Sequence, residues 1–315
     1  MNQSSSSVLV TGGAGFIGSH LTDALVDAGH RVVVLDDLST GRRERVTPAA
    51  RFVEGDLRRF DLERLLREER IAEVFHHAAQ IDVRKSVADP VFDAEVNVLG
   101  TIRLAKACLA SGVSQILFAS SGGAIYGDPK GFAADESHPT NPVSPYGTAK
   151  LAGEKYLECL ALGSPLVVSV LRYANVYGPR QDGSGEAGVV GIWMKRLLEG
   201  KDGVIYGDGG QSRDFVYVGD VVSANLVALG KKAAGVFNIG TGIETTVNGL
   251  YGEVAKACGT HRPARREAGK PGEQRRSVLD VSRARALLGF TPAVPLPEGL
   301  RRTAEWFRSP SARPL

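Results

Sequence analysis

The segment Val8-Leu-Val-Thr-Gly-Gly-Ala-Gly-Phe-Ile-Gly18 is an apolar strand pattern that runs directly into glycines at Gly12, Gly15 and Gly18, where a helical pattern begins. A glycine-rich turn between a strand and a helix lets backbone N–H groups approach a pyrophosphate, and the helix N-terminus adds partial positive charge. The next predicted strand ends at Asp36. A carboxylate there accepts hydrogen bonds from an adenosine ribose and repels a 2′-phosphate. The pattern therefore predicts binding of NAD in preference to NADP.

Strand and helix patterns alternate through the first two-thirds of the chain. The predicted strands are Val8–Thr11, Arg31–Leu35, Arg51–Val53, Glu73–His76, Gln115–Ala119 and Val167–Tyr173. The predicted helices are Phe16–Ala28, Asp61–Glu69, Val91–Ser111 and Pro145–Leu162. This alternation is typical of βαβ units. We therefore predict an α/β fold with a Rossmann-type doubly wound parallel sheet and a ligand crevice at the carboxyl ends of its strands.

The pattern changes after Tyr177, where glycine and proline become frequent. The remaining predicted elements are a strand at Val236–Ile239 and helices at Val189–Leu198, Val247–Ala257, Ser282–Leu288 and Pro297–Phe307. We expect an NAD-binding Rossmann domain of residues 1–177 with segments near 214–242. Residues 178–213 and 243–315 are expected to form a smaller C-terminal substrate-binding lobe.

Composition excludes several classes of protein. Hydrophobic residues make up 43% and charged residues 23% of the sequence, as in ordinary globular proteins. The net charge of +3 gives no electrostatic case for nucleic acid. The sequence has no apolar run of about 18 residues and its first residues do not resemble a signal peptide. The three cysteines lack zinc-binding spacing. We expect a cytoplasmic protein with no metal, nucleic acid or membrane partner.

The segment Ser144-Pro-Tyr146-Gly-Thr-Ala-Lys150 predicts an N-cap serine, a proline at the first helical position and a helix. Tyr146 and Lys150 are four residues apart and share one helix face. A phenol with a pKa of about 10 is a poor base at neutral pH. A nearby ammonium and a positive nicotinamide favour the phenolate, which predicts general base catalysis by Tyr146.

Ser120 and Ser121 follow an apolar strand at the expected crevice edge. A serine hydroxyl there can bind the same substrate oxygen that Tyr146 deprotonates. Ser121 lies 25 residues before Tyr146, and Ser120 is the alternative.

The sequence resembles the extended short-chain dehydrogenase/reductases, and among them the nucleotide-sugar 4-epimerases of the UDP-glucose 4-epimerase type. The resemblance covers nearly the whole chain. It rests on the motifs TGGAGFIGSHL, LDDLSTG, HHAAQIDVRKSV, FASSGGAIYGDP, SPYGTAK, LRYANVYGPRQ and GDGGQSRDFVYVGDV. The resemblance implies that Ser121, Tyr146 and Lys150 are catalytic. Alignment with relatives backward from Tyr126 would put Gly122 in the place of the serine, whereas alignment forward from Phe118 and the spacing to Tyr146 select Ser121. The candidate cofactor-binding residues are Gly12, Gly15, Phe16, Ile17, Asp36, Asp37, Ser39, Asp56, Leu57, Ala78, Ala79, Asn97, Tyr146, Lys150 and Tyr173.

The resemblance implies oxidation of a UDP-sugar at C4 by NAD, rotation of the 4-keto sugar and reduction on its other face. Dehydratase relatives carry an acidic residue just after the serine or threonine. Here Gly122, Gly123 and Ala124 stand there. Their lack of a carboxyl group favours epimerisation. A dehydratase, a decarboxylase and a non-catalytic NAD-binding protein are the more remote alternatives.

The resemblance also supplies candidates for substrate binding. They are Arg84, Ser121, Asn175, Val190, Arg213, Lys270 and Arg275. UDP-glucose and UDP-galactose are the expected substrates. Ser277, a small residue, leaves room for an N-acetyl group, and Arg84 is a possible partner for the carboxylate of UDP-glucuronate, so both alternatives remain open. Asp182 stands where some uronate epimerases have an arginine. We expect a homodimer formed through Val91–Ser111 and Pro145–Leu162.

Overall fold

The computed structural model describes residues 6–129, 131, 133–183, 188–269 and 274–309. The chain divides into two compact units. The first comprises Met1–Ile125, Thr140–Arg172 and Val222–Phe237, and the second Tyr126–Pro139, Tyr173–Val221 and Asn238–Leu315. The sequence placed Tyr126–Pro139 with the Rossmann domain. This segment instead groups with the second unit, where the Tyr126 hydroxyl donates a 2.8 Å hydrogen bond to the side chain of Asn238.

Strands and helices are numbered along the chain. The strands are β1 Ser7–Thr11, β2 Arg31–Asp36, β3 Arg51–Glu54, β4 Glu73–His76, β5 Gln115–Ser121, β6 Val167–Tyr173, β7 Asn175–Tyr177, β8 Val204–Tyr206, β9 Ser212–Tyr217, β10 Gly235–Ile239, β11 Glu244–Thr246, β12 Arg265–Glu267 and β13 Arg276–Ser277. The α-helices are α1 Phe16–Asp27, α2 Leu62–Glu68, α3 Val83–Ala88, α4 Pro90–Ala94, α5 Gly100–Ser111, α6 Gly122–Ile125, α7 Pro145–Ala161, α8 Val189–Leu198, α9 Val218–Gly230, α10 Val247–Ala257 and α11 Leu296–Arg308. Arg43–Arg45 forms a 3₁₀ turn, and Glu95–Leu99 and Ala284–Leu288 are π-helical.

A seven-stranded sheet with the order β10-β6-β5-β4-β1-β2-β3 organises the first unit. Strand β1 pairs in parallel with β2 and β4, and the pairs β2–β3 and β4–β5 are also parallel. The strand order reverses between β1 and β4, which is where a doubly wound sheet binds its ligand. The predicted α/β fold with a doubly wound parallel sheet is confirmed.

The packing of the first unit explains why the sequences of its strands are continuous runs of apolar residues. Both faces of a parallel sheet are covered by helices, so successive strand residues are buried on either side. Val8, Leu9 and Val10 of β1 are fully buried. Leu65 and Leu66 of α2 and Leu104 of α5 belong to the same cluster as Leu9. This packing holds the carboxyl ends of β1, β4 and β5 at one edge.

The second unit contains small sheets and a separate core. Strand β9 pairs antiparallel with β11 and parallel with β13 and β7, while β8 pairs with β12. Helices α8, α10 and α11 contribute the core residues Trp193, Val254 and Leu300. Among the described residues, none of the helices combines the length and apolar character that crossing a bilayer requires.

Candidate active site

The turn after β1 permits close backbone approach. Gly12 has a φ of 72°, and a Cβ there would lie 2.5 Å from the backbone nitrogen of Ala78. A Cβ on Gly18 would lie 2.2 Å from the carbonyl oxygen of Gly12. Neither position accepts a larger residue without a backbone shift. The turn therefore packs directly against the loop that follows β4.

Helix α1 begins immediately after this turn. Gly15 is its N-cap residue, and no side chain caps its first turn, which starts with Phe16 and Ile17. Backbone N–H groups at an uncapped helix N-terminus bind anions, and the helix dipole favours negative charge there. This geometry fits the pyrophosphate of a dinucleotide.

Asp36 lies at the end of β2, beside the glycine turn. Its two carboxylate oxygens accept hydrogen bonds of 2.9 Å from the backbone nitrogens of Ala14 and Leu38. Burial raises its pKa. Each oxygen keeps acceptor capacity for a ribose hydroxyl. The next candidates, Asp37 and Ser39, are exposed and bonded to each other, with the Ser39 hydroxyl 2.6 Å from Asp37 Oδ1.

Asp56 follows β3 and is already paired within the protein. Arg58 binds both of its carboxylate oxygens at 2.7–3.0 Å and lowers the pKa of Asp56. The same guanidinium lies 5.0 Å from the centroid of the Phe92 ring. Leu57 is buried against the core. An adenine at this position would meet a carboxylate whose orientation is fixed by arginine.

Asn97 lies in the π-helical segment and fixes the loop after β4, which contains Ala79. Its amide accepts from the Gln80 backbone nitrogen at 3.0 Å and donates to the Gln80 carbonyl at 2.9 Å. It also donates to Asp93 Oδ1 at 3.0 Å. The described contacts of Asn97 therefore shape the loop.

Helix α7 begins as its sequence predicts. The hydroxyl of Ser144 accepts a 3.1 Å hydrogen bond from the Gly147 nitrogen, and proline occupies the first turn. The backbone nitrogen of Tyr146 donates to the hydroxyl of Ser86, a fully buried residue of α3, at 3.1 Å. The cap and this contact fix the turn that carries Tyr146.

Lys150 lies one turn along the same face and is 4% exposed. Its Nζ donates a 2.9 Å hydrogen bond to the carbonyl oxygen of Ala119 and lies 5.9 Å from the centroid of the Tyr146 ring. Burial lowers the pKa of Lys150 to about 8, and the carboxylates of Asp93 and Glu154 oppose this change. The lysine remains mostly charged at neutral pH.

The described surroundings of Tyr146 act on the pKa of its phenol in opposite directions. Burial raises the pKa of Tyr146 to about 12, and the hydrogen bond with Ser121 opposes this rise. Desolvation disfavours the phenolate more strongly than the described neighbours favour it. Burial is therefore the main cause of the raised pKa of Tyr146.

The two serines at the end of β5 have different partners. Ser121 is hydrogen bonded to Tyr146. The hydroxyl of Ser120 instead donates a 2.5 Å hydrogen bond to Glu154, and Ser120 is 4% exposed. Gly122 begins α6. Of these three positions, Ser121 is the one that places a hydroxyl on the tyrosine.

Several candidates for substrate binding lie in the second unit. Arg213 is half-buried on β9, where it pairs in register with Ser277 of β13, and Asn175 is exposed on β7. Arg275 is exposed and binds both oxygens of Asp208 at 2.8 and 2.9 Å, which holds the pKa of that carboxyl well below its usual range.

The remaining candidates have varied surroundings. Val190 is 1% exposed in the core of the second unit, and Tyr173 is buried at the end of β6. Arg84, in the first unit, binds both oxygens of Asp82, at 3.2 and 3.0 Å. Lys270 lies outside the described residues.

Comparison with known proteins identifies the family. The pattern of the NAD dependent epimerase/dehydratase family matches residues 8–240. The chain belongs to this family. It is 48% identical to the UDP-glucose 4-epimerase of Mycolicibacterium smegmatis over 96% of this chain and 99% of that protein. The predicted family is therefore confirmed. The dependence on NAD is confirmed with it, because the family is described as NAD dependent.

Two solved epimerases share the fold closely. The UDP-glucose 4-epimerase of Thermotoga maritima, solved with UDP-glucose, is 46% identical with a TM-score of 0.93 and covers 96% of this chain and 98% of its own. The Thermus thermophilus enzyme, solved with NAD, is also 46% identical, with a TM-score of 0.92 and coverage of 96% and 99%.

Sequence reasoning missed Glu154, Arg172 and Asp93 in this epimerase/dehydratase family member. All three are buried. Asp93 and Glu154 act on the pKa of Lys150, and Arg172 binds Glu154. Glu154 lies four residues after Lys150, so helical spacing could have placed it on the catalytic face. Arg172 and Asp93 carry no such local signal.

Proposed function

We propose that this chain is an NAD-dependent UDP-glucose 4-epimerase, an isomerase that inverts C4 of UDP-glucose and UDP-galactose. The observation that carries the proposal is the joint placement of Ser121, Tyr146 and Lys150. The strand that ends at Ser121 and the helix face with Tyr146 and Lys150 meet at the carboxyl edge of the sheet that carries the glycine turn.

The three proposed catalytic residues have different roles in the reaction. Tyr146 removes the proton of the sugar 4-hydroxyl and later returns it. Ser121 orients that oxygen by hydrogen bonding, and Lys150 supplies a buried positive charge. Bound NAD supplies the reversible acceptance of a hydride from C4. A sugar held only through its nucleotide can rotate as a 4-keto compound, which makes inversion possible.

The cofactor contacts are proposed from the first unit. The N-terminus of α1 binds the pyrophosphate, and Asp36 binds the adenosine ribose. Asp56 and Leu57 are proposed to contact the adenine. Ala78 and Ala79, together with Asn97, which fixes their loop, are proposed to contact the rest of the dinucleotide. Asp37, Ser39 and Tyr173 are proposed to complete the cofactor contacts.

The substrate contacts are proposed from the functional groups of the candidate side chains. Arg213 carries a guanidinium that matches a diphosphate, and Asn175 offers an amide to the sugar nucleotide. Lys270 and Arg275 are proposed as further diphosphate contacts. Arg84, which binds Asp82 in the structure, is proposed as a contact of the sugar.

A panel of sugar nucleotides with product analysis tests the proposal. Purified protein incubated with UDP-glucose should form UDP-galactose of unchanged mass, and denaturation should release NAD. Conversion of only UDP-N-acetylglucosamine or UDP-glucuronate would reassign the sugar. Loss of water or carbon dioxide would indicate a dehydratase or a decarboxylase. Bound NAD without turnover of any substrate would indicate a non-catalytic protein.

We also propose a homodimer formed by the segments 90–111 and 145–161. Val91, Leu99 and Tyr156 are 67%, 52% and 46% exposed on these segments. Burial of such side chains against a second copy is favourable. Sedimentation should show a dimer that Leu99→Glu converts to a monomer. Ile243→Glu, which changes an exposed apolar residue of the second unit, is the control. A monomeric wild-type protein would contradict the proposal.

A cytoplasmic location is proposed from the cysteines. Cys108, Cys159 and Cys258 are free thiols. Unpaired thiols are typical of proteins in reducing compartments. Fractionation of cells that produce the protein tests the location.

A further inference from the structure

Three consecutive residues at the end of β5 each contact a different residue of one helix face. The Ala119 carbonyl accepts from Lys150, the Ser120 hydroxyl donates to Glu154, and Ser121 is hydrogen bonded to Tyr146. The helix residues are spaced by four, so they form a single stripe along α7. The strand end is therefore attached to α7 at successive turns.

Glu154 is also the acidic partner of a buried ion pair. Arg172 on β6 donates to Glu154 Oε1 at 2.9 Å through Nε and to Oε2 at 2.6 Å through its terminal nitrogen. The side chains of Arg172 and Glu154 are 5% and 3% exposed. Glu154 Oε1 thus receives hydrogen bonds from both Arg172 and Ser120. The guanidinium fork fixes the carboxylate plane, and the carboxylate in turn fixes the serine.

A buried ion pair is weak evidence for stability, because its desolvation penalty offsets the attraction between the charges. Apolar residues of similar volume would hold α7 to the sheet equally well. The position of this pair, one helical turn from Lys150 and bonded to the neighbour of Ser121, indicates a role in the site.

The titratable groups around Lys150 indicate that Glu154 also acts on the lysine through its charge. Asp93 from α4 and Glu154 from α7 favour its protonated form. His76 and His77 from the end of β4 are buried, and desolvation lowers the pKa of both, so they are neutral at pH 7. Tyr146 is neutral as well, because burial raises its pKa. Glu154, like Asp93, thus opposes the effect of desolvation on the pKa of the lysine.

We propose that Glu154, fixed by Arg172, is a positioning residue that holds Ser121 against Tyr146 through Ser120 and places a buried carboxylate one helical turn from Lys150. The kinetic part of this inference rests on the proposed epimerase function. The titration of Lys150 does not depend on it.

The hydroxyl of Ser120 provides the mildest test. Ser120→Ala removes one hydrogen bond and leaves the ion pair intact. We expect kcat for UDP-galactose formation to fall about 5–20-fold, with KM and bound NAD unchanged. Ser169→Ala is the matched control, because Ser169 is a buried serine of β6 whose hydroxyl bonds Gln115 and Ala233 away from the site. An equal effect of both substitutions, or none of Ser120→Ala, would overturn the positioning role.

The charge of Glu154 is tested by titration. In Glu154→Gln, we expect the pKa of Lys150, followed by NMR of labelled lysine, to fall by about one unit. The alkaline limb of the kcat profile should shift to lower pH by a similar amount. Glu154→Asp, which keeps the charge, should restore the lysine pKa. A merely structural role would lower activity at every pH without moving either quantity, and that result would reject the proposal.

Glu154→Gln leaves the positive charge of Arg172 buried without the Glu154 carboxylate, which destabilises the folded protein. A double variant that removes both charges is the control for this effect. Glu154→Gln with Arg172→Gln removes both charges and should lower the pKa of Lys150 by less than Glu154→Gln alone, because the lost arginine charge acts on the lysine in the opposite sense. An unchanged lysine pKa in a folded variant would contradict the proposal. Inactive wild-type protein would instead contradict the epimerase function and leave the titration as the test.

Discussion

The Nζ of Lys150 donates a 2.9 Å hydrogen bond to the carbonyl oxygen of Ala119, and both residues are buried. This bond anchors the ammonium to β5 beside the serine pair. Burial lowers the pKa of the lysine to about 8. A lysine in an unfolded chain has a pKa of about 10.4. Folding therefore weakens the binding of this proton.

The stability of the cofactor-free protein should depend on this lysine. Between about pH 8 and 10, Lys150 is protonated in the unfolded chain and deprotonated in the folded protein. The free energy of unfolding therefore increases with pH in this range. We expect the free energy of unfolding of the wild type to increase by about 1–3 kcal/mol relative to Lys150→Met between pH 7 and 10. Urea denaturation at a series of pH values measures this difference. Parallel curves for the two proteins would contradict the assigned shift.

Two glycines inside helices should respond oppositely to alanine. A Cβ on Gly18 of α1 would lie 2.2 Å from the Gly12 carbonyl, whereas one on the exposed Gly252 of α10 has no neighbour within 4 Å. Gly18→Ala should destabilise the protein by about 2 kcal/mol or more and reduce bound NAD. Gly252→Ala should stabilise it by about 0.5–1 kcal/mol, because alanine is the better helix former. Denaturant unfolding of both variants checks the contrast, and equal effects would refute the close approach at Gly18.

Asp36 should determine the choice of cofactor. Its carboxylate repels a 2′-phosphate, so Asp36→Ser should increase the affinity for NADP about tenfold or more relative to NAD. Binding measured by calorimetry gives the ratio. Asp27→Ser, at the exposed C-terminal end of α1, removes an equal charge elsewhere and should leave the ratio unchanged. A constant ratio in Asp36→Ser would exclude this residue from the ribose contact.

Much of the fold follows from local sequence patterns. The predicted strands lie within two residues of β1 to β6, and the helices Val189–Leu198 and Val247–Ala257 have the predicted bounds. These segments have clear apolar periodicity and strong boundaries. The long predicted helix Val91–Ser111 is instead α4 followed by a π-helical segment and α5. The π-helical segment carries the tertiary contacts of Asn97, which no local pattern encodes.

Helix α9, Val218–Gly230, was missed for a physical reason. Its Val222 and Ala224 are both buried although they are two residues apart and so lie on nearly opposite sides of the helix. Apolar residues therefore lack the one-sided spacing of a surface helix. The short strands of the second unit were missed because their pairing is long-range. In the site, the residue types and helical spacing predicted Tyr146, Lys150 and their cap. The high pKa of Tyr146 depends on burial, which the motif alone does not determine.

The central claim is that Tyr146 carries the proton of the sugar hydroxyl. Tyr146→Phe keeps the ring and the backbone contact with Ser86 and removes only the phenol oxygen. Tyr156→Phe, on the exposed side of the same helix, is the control.

The decisive measurement is the rate of UDP-galactose formation from UDP-glucose by the NAD-loaded Tyr146→Phe protein. We expect kcat to fall by about 10²–10⁴-fold with NAD content unchanged, while Tyr156→Phe keeps the wild-type rate. Wild-type turnover by Tyr146→Phe would show that another group moves the proton and would contradict the account.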